Sequence, residues 1–128
     1  MAVPELRCTF GGRSLVFDVA YLDWGRIHFD KTGAPEDDVF DAPDWIIEIL
    51  SPGQTVANMA RRCAWCVTNG VRLAWLVEPR REQVQVFRPN REVKLLSGDD
   101  VLDAGEVLVG FRVRASEVFD WLRPGKVK

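Results

Sequence analysis

Lysine is scarce in this chain. Thirteen of its 17 basic residues are arginines, and the lysines are Lys31, Lys94, Lys126 and Lys128. None lies between Lys31 and Lys94, so that half must rely on arginine, which forks onto phosphate but does not readily give up a proton. Cysteine is equally sparse: Cys8, Cys63 and Cys66 are an odd number and make no disulfide framework, so a reducing, cytoplasmic setting is expected. The one histidine, His28, has no triad partner nearby and reads as a surface or structural residue. A glycine-rich phosphate loop, a nucleophile elbow and a dinucleotide fingerprint are all missing, which argues against nucleotide hydrolysis and serine-hydrolase chemistry. No apolar run is long enough to span a bilayer or begins the chain as a signal peptide would, so no membrane partner is expected. The net charge is −2 with a pI near 5.4, so no global basic field draws in nucleic acid, although a local patch still could.

What is present fits one domain over residues 1–128: the chain is 47% hydrophobic, with no repeat, low-complexity tract or linker. Arg13–Leu22 reads as a strand entered through Gly11-Gly12, with Leu15, Phe17, Val19 and Tyr21 on one face and Val16, Asp18, Ala20 and Leu22 on the other. Trp24–Phe29 is short and ambiguous, and 30–43 reads as a polar surface loop. Trp45–Leu50 suits a strand covered on both faces. From Thr55 to Thr68 the period becomes helical, with Thr55 as N-cap, a stripe of Val56, Met59, Cys63, Cys66 and Val67, and Asn69-Gly70 as the stop. Val71–Val77 reads as a second buried strand. Glu78–Glu82 turns the chain into Gln83–Arg88, and Glu92–Leu96 completes a meander. Ala115–Leu122 closes as a short helix with Ser116 as a candidate cap. The order implies an α/β fold: a mixed β-sheet, a crossover helix between parallel strands, and flanking helices.

The run "DWIIEILSP" carries an acid, Glu48, in an apolar strand, where an ionised carboxylate is costly without compensation. Asp44 and Glu48 share a face, and Asp18 is a second acid inside a strand pattern. Were those strands neighbours, Asp18 and Glu48 would converge as hard oxygen ligands for Mg2+ or Mn2+. By spacing alone, pairing with arginine is the commoner fate of such an acid, and Arg61 and Arg62 are the available partners.

Other features have plainer readings. Cys63-Ala-Trp-Cys66 has redox spacing but lies deep in a helix rather than at its start, so packing is favoured over chemistry. Trp45 and Trp75 read as core; Trp24 and Trp65 suit partial burial or a subunit contact more than base stacking. Arg80, Arg81, Arg88 and Arg91 cluster around a hairpin, by default a solvated turn and otherwise a track for a nucleic-acid backbone.

"APDWIIEILSPG", a helix, and then "NGVRLAWLVEPRREQVQVFRP" together resemble the Uma2 family of restriction-endonuclease-like proteins, itself similar to the PD-(D/E)XK nucleases. "SLVFDVAYL" resembles the family's Pro-Asp strand, with Phe17 in place of proline, and "LSGDDVLDAGEVLVGFRVRASEVFDWL" its usual ending. The likeness runs from about Gly11 to Leu122. It implies a restriction-endonuclease-like core hydrolysing nucleic-acid phosphodiesters, DNA first, with Asp18 and Glu48 holding Mg2+ or Mn2+ and Asp44 supporting them. Arg62 stands where the family has a lysine, and Cys66 where it has a tyrosine, which implies weakened or lost activity. The chain also begins where the middle of a usual member would be, and the surface so exposed implies a homodimer. The rival reading is therefore a non-catalytic, homodimeric interaction module on the same fold; a thiol redox protein using Cys63 and Cys66 is the weakest of the three.

Overall fold

A computed structural model describes residues 1–23, 25, 31–33 and 38–122. Apart from Gly25, the stretch Trp24–Phe29, with Trp24 and His28, lies outside the described residues, as do Lys126 and Lys128.

Among the described residues, nine strands and two helices follow in the order β1 (Ala2–Phe10), β2 (Arg13–Tyr21), β3 (Asp38–Val39), β4 (Trp45–Ile49), α1 (Val56–Thr68), β5 (Leu73–Glu78), β6 (Gln83–Phe87), β7 (Lys94–Ser97), β8 (Val101–Ala104), β9 (Leu108–Arg114) and α2 (Ala115–Leu122). The main sheet has the order β3-β1-β2-β4-β5-β6-β7, and β8 pairs with β9 in a separate hairpin. Strands β4 and β5 are parallel, with Glu48 beside Leu76, and α1 is the crossover between them. This is the expected mixed sheet.

Sequence chemistry explains both ends of α1. The Thr55 side chain accepts the Asn58 N–H at 3.2 Å, satisfying one of the helix's orphan donors. At the other end Gly70 takes φ 115°, which lets the Val71 N–H return to the Cys66 carbonyl at 3.0 Å and close the last turn. Met59, Cys63 and Cys66 then face the sheet and pack with Phe17, Ile46, Ala74, Leu76 and Phe87. On the opposite sheet face Trp45, Trp75, Val84 and Val86 pack under Leu102, Val113 and Phe119 from the hairpin and α2. The result is three layers.

Strand β2 departs from simple alternation. Leu15 and Phe17 join the α1-side cluster, and so do Ala20 and Leu22, whereas Tyr21 packs on the other side. The face switches between Phe17 and Ala20, so Leu15 and Phe17 do not share a face with Tyr21. Strand β1 switches at the same level: Val3 and Leu6 both pack toward α1, Glu5 between them has φ 52°, and the ladder skips the Glu5–Asp18 pair. Asp18 therefore stands at a kink.

Several elements had no clear pattern. Strand β1 is broken by Pro4 and Glu5, β8 is only four residues long, β9 is largely exposed, and β3 lies within the stretch read as loop, where Val39 is buried. Ser116 is not the cap of α2. It lies inside the helix, with its N–H on the Gly98 carbonyl, while Glu117 Oε1 accepts the Arg114 N–H at 3.2 Å. Glu78 is not a turn residue but the buried end of β5; its Oε2 accepts the side-chain amides of Gln83 and Gln85. Among the described residues no helix is long and apolar enough to cross a membrane.

Candidate active site

The β2–β4 ladder pairs Tyr21 with Trp45, Ala20 with Ile46 and Val19 with Ile47, then stops. Its next rung would set Asp18 opposite Glu48. There the side chains replace the backbone bonds: the Asp18 N–H donates to Glu48 Oε1 at 2.9 Å, and the Ile49 N–H donates to Asp18 Oδ2 at 2.7 Å. The kink in β2 is what draws the backbones apart at this level and lets each acid reach across. Each carboxylate is thus aimed by one main-chain amide through one oxygen, leaving its second oxygen for another partner.

For Glu48 that partner is Arg62, midway along α1. Arg62 Nε lies 3.3 Å from Glu48 Oε2, but without hydrogen-bond alignment, so the contact is an ion pair rather than a fork. The guanidinium is held elsewhere: Nη2 donates to the Val16 carbonyl at 2.6 Å, and Cζ sits 5.1 Å from the centre of the Phe17 ring. Its side chain keeps 27% of its surface open to solvent, against 4% for Glu48. Burial pushes the Glu48 carboxyl above its ordinary pKa, and the Asp18 N–H and the Arg62 charge pull against that rise without cancelling it. Arg61 is engaged with Asn58 and does not reach the acids.

Asp44 stands apart. It immediately precedes β4, four residues before Glu48 and roughly 13 Å away along an extended chain. There it is buried, accepts the Asp23 N–H at 3.0 Å and lies 3.6 Å from Arg72 Nη1. The structure brings together Asp18, Glu48 and Arg62 and ties Asp44 into the base of the sheet. Among the described residues no group of three or more His, Cys, Asp or Glu side chains could hold a metal ion. Asp18 and Glu48, each with one oxygen outside any hydrogen bond and that of Glu48 only ion-paired to Arg62, still suit Mg2+ or Mn2+, which keep much of their water. The nearby thiols do not take part: Cys63 and Cys66 are fully buried, and burial pushes both up to about 12, the reverse of what an attacking thiol needs.

Three members of this site were missed in the sequence: the Ile49 N–H and the Val16 carbonyl, which are backbone groups without a side-chain signal, and the face of Phe17. Phe17 reads as ordinary core until its ring is seen beneath a guanidinium.

The crystal structure of a protein described as a "putative nuclease belonging to DUF820", from Anabaena variabilis, superimposes with a TM-score of 0.86 at 32% sequence identity, over 95% of this chain and 69% of that one. No curated protein matches the chain. The family model of Uma2, described as "Putative restriction endonuclease", matches residues 1–116. With 116 of 128 residues matched and a fold shared almost end to end, the chain belongs to the Uma2 family.

Proposed function

We propose that this protein is a nuclease whose Asp18 and Glu48 hold Mg2+ or Mn2+ and whose Arg62 steadies the phosphate being cut. The observation that carries this reading is the amide-aimed acid pair, set at the end of a ladder with a guanidinium 3.3 Å from one of its oxygens. When bound, the ion would supply charge neutralisation and an acidified water. The chain's own contribution is orientation: the amides of Asp18 and Ile49 fix both carboxylates, and the Val16 carbonyl fixes the guanidinium. Arg62 can bind phosphate through its free donors but cannot replace a lysine as a proton carrier, so turnover should be slow. Asp44, linked to Arg72 and the Asp23 amide, supports the strand that carries Glu48. The test is nicking of supercoiled plasmid DNA with Mn2+ or Mg2+, wild type against Glu48→Gln. Cleavage lost in the variant supports the reading; no cleavage by wild type under any divalent ion refutes it.

One observation favours a second reading, a non-catalytic module that keeps the fold. The Arg62–Glu48 ion pair already gives the buried acid a counter-charge without a metal. Strand β7 ends the sheet as an edge, and Leu95, 57% exposed, lies on it. An open apolar edge suits pairing with a second copy. Sedimentation of wild type and Leu95→Lys checks this: a dimer that the variant dissociates supports the module, and a monomeric wild type removes it.

A further inference from the structure

The four arginines that cluster in sequence around the β5–β6 hairpin separate in space. Arg80 and Arg81 sit in the turn that follows Glu78, while Arg88 and Arg91 lie at the other end of β6. There they join Arg72 and Lys94 around an open cleft of about 450 Å3, between the start of β5, the β6–β7 turn and the β8–β9 hairpin. Arg72 precedes Leu76, the neighbour of Glu48, by four residues, roughly 13 Å along β5. The cleft also opens beside Leu73 and Ala104, which belong to the sheet face opposite α1. It is therefore on the other face and at the other end from Asp18 and Glu48.

Its charge is out of keeping with a chain of net charge −2. Four cationic side chains line it against two acids, Asp103 and Glu106. Asp103 is already committed, with Oδ1 taking Arg88 Nη2 at 3.2 Å and the Gly105 N–H at 2.9 Å. That contact fixes Arg88 at the wall, and a looser ion pair at 3.6 Å keeps Arg72 beside Asp44. Arg91 and Lys94 have no ion pair among the described residues and are exposed. Two anchored guanidiniums beside two uncommitted cations form a concave anion site, since little ordering is left to do when a multiply charged oxyanion enters.

We propose that this cleft binds phosphate groups, chiefly those of a nucleic-acid strand held away from the reacting acids. Binding here would not depend on hydrolysis, so it can stand or fall apart from the nuclease reading. The test is fluorescence anisotropy of a labelled single-stranded DNA in EDTA, where no divalent ion permits cleavage, with inorganic pyrophosphate as competitor. Arg91→Glu/Lys94→Glu is compared with wild type and with Arg80→Glu/Arg81→Glu, an equal charge change at the far end of the hairpin. The expected result is binding weakened about tenfold or more by the cleft variant alone, with a salt slope shallower by about 1.4, two phosphate contacts at the single-strand value. Pyrophosphate bound by wild type but not by the cleft variant, with no DNA bound, would support the phosphate site and assign it to a free ligand. Equal losses in both double variants would show diffuse attraction and overturn the proposal, as would full binding of both probes by the cleft variant or of neither by wild type.

Discussion

Glu48 has two separable duties in the structure, and two substitutions divide them. Glu48→Ala removes the acceptor of the Asp18 N–H and the counter-charge of Arg62 together. An orphaned amide costs about 1–3 kcal/mol when fully buried, and the Asp18 amide is only part-buried, so about 1 kcal/mol applies here. Breaking a fully buried ion pair costs about 3–5 kcal/mol, but Arg62 is 27% exposed and can turn to water, so its share is much smaller. Relief of the acid's own burial offsets part of the sum, and a net loss of about 1–2 kcal/mol is expected. Glu48→Gln keeps the shape and the acceptor while discarding the charge, so a change under about 1 kcal/mol is expected. At roughly 4 °C per kcal/mol for a chain of this size, Tm should fall by about 4–8 °C for alanine and less than about 4 °C for glutamine.

Calorimetry with and without Mn2+ then separates structure from ligand. Ion at a hundred times its Kd stabilises wild type by about 2.7 kcal/mol, and neither variant should keep that gain. The pH dependence has a definite sign. Because burial raises the Glu48 pKa in the folded state, the proton is held more tightly there than in the unfolded chain. Its contribution to stability is full below the unfolded pKa, near 4.5, and is lost as pH rises through the higher folded value. Glu48→Gln should therefore gain on wild type as pH rises through that window. A glutamine variant as unstable as the alanine one, together with a wild type indifferent to Mn2+, would refute the reasoning and leave Glu48 as a strut for Arg62.

Asp44→Ala should cost about 1 kcal/mol, chiefly through the part-buried Asp23 amide because Arg72 is 43% exposed and turns to water, yet leave the Mn2+ shift in Tm intact, measured by the same calorimetry. Thr55→Ala should cost about 1 kcal/mol through loss of the cap on Asn58, read as a lower urea midpoint with an unchanged slope. Cys63 and Cys66, held up to about 12, should resist iodoacetamide in the native protein at pH 8 and react at once in guanidinium; rapid native labelling would contradict their burial.

The parts of the fold legible in the sequence are those where local chemistry and tertiary packing agree. Helix α1 announces itself by Thr55, a 3.6-residue stripe and Asn69-Gly70, and all three reappear as contacts. Strands β4, β5 and β6 are legible because each is apolar on the faces that the layers cover. Strand β1 was not legible, because Glu5 in a left-handed conformation splits its alternation into two short phases. The same break makes β2 misleading: a clean period of two along Leu15–Leu22 describes a flat strand, and the real one turns over at Asp18. Single-strand periodicity cannot register a kink that belongs to a pair of strands.

That kink also limits how far the site could be read. An acid in an apolar run marks Glu48 without naming its partner, and the spacing along β4 offers Asp44 as readily as Asp18. Only the antiparallel register decides, because it sets Asp18 at the rung facing Glu48 and leaves Asp44 at the strand's other end. Arg62 was legible as a cation one crossover away, but its role was not. In the structure it is anchored by a carbonyl and an aromatic face, so its position does not depend on Glu48. An arginine recruited only to neutralise a buried acid would be expected to turn its fork onto that acid, the strongest geometry available to it. Arg62 instead gives Glu48 an unaligned Nε and spends its Nη2 on Val16, leaving Glu48 Oε2 open to a better partner. Arg62→Lys tests that point. It should strengthen Mn2+-dependent nicking, because a flexible ammonium can share the acid with an ion and move a proton, and a fall in nicking would mean that the fixed guanidinium is the working group.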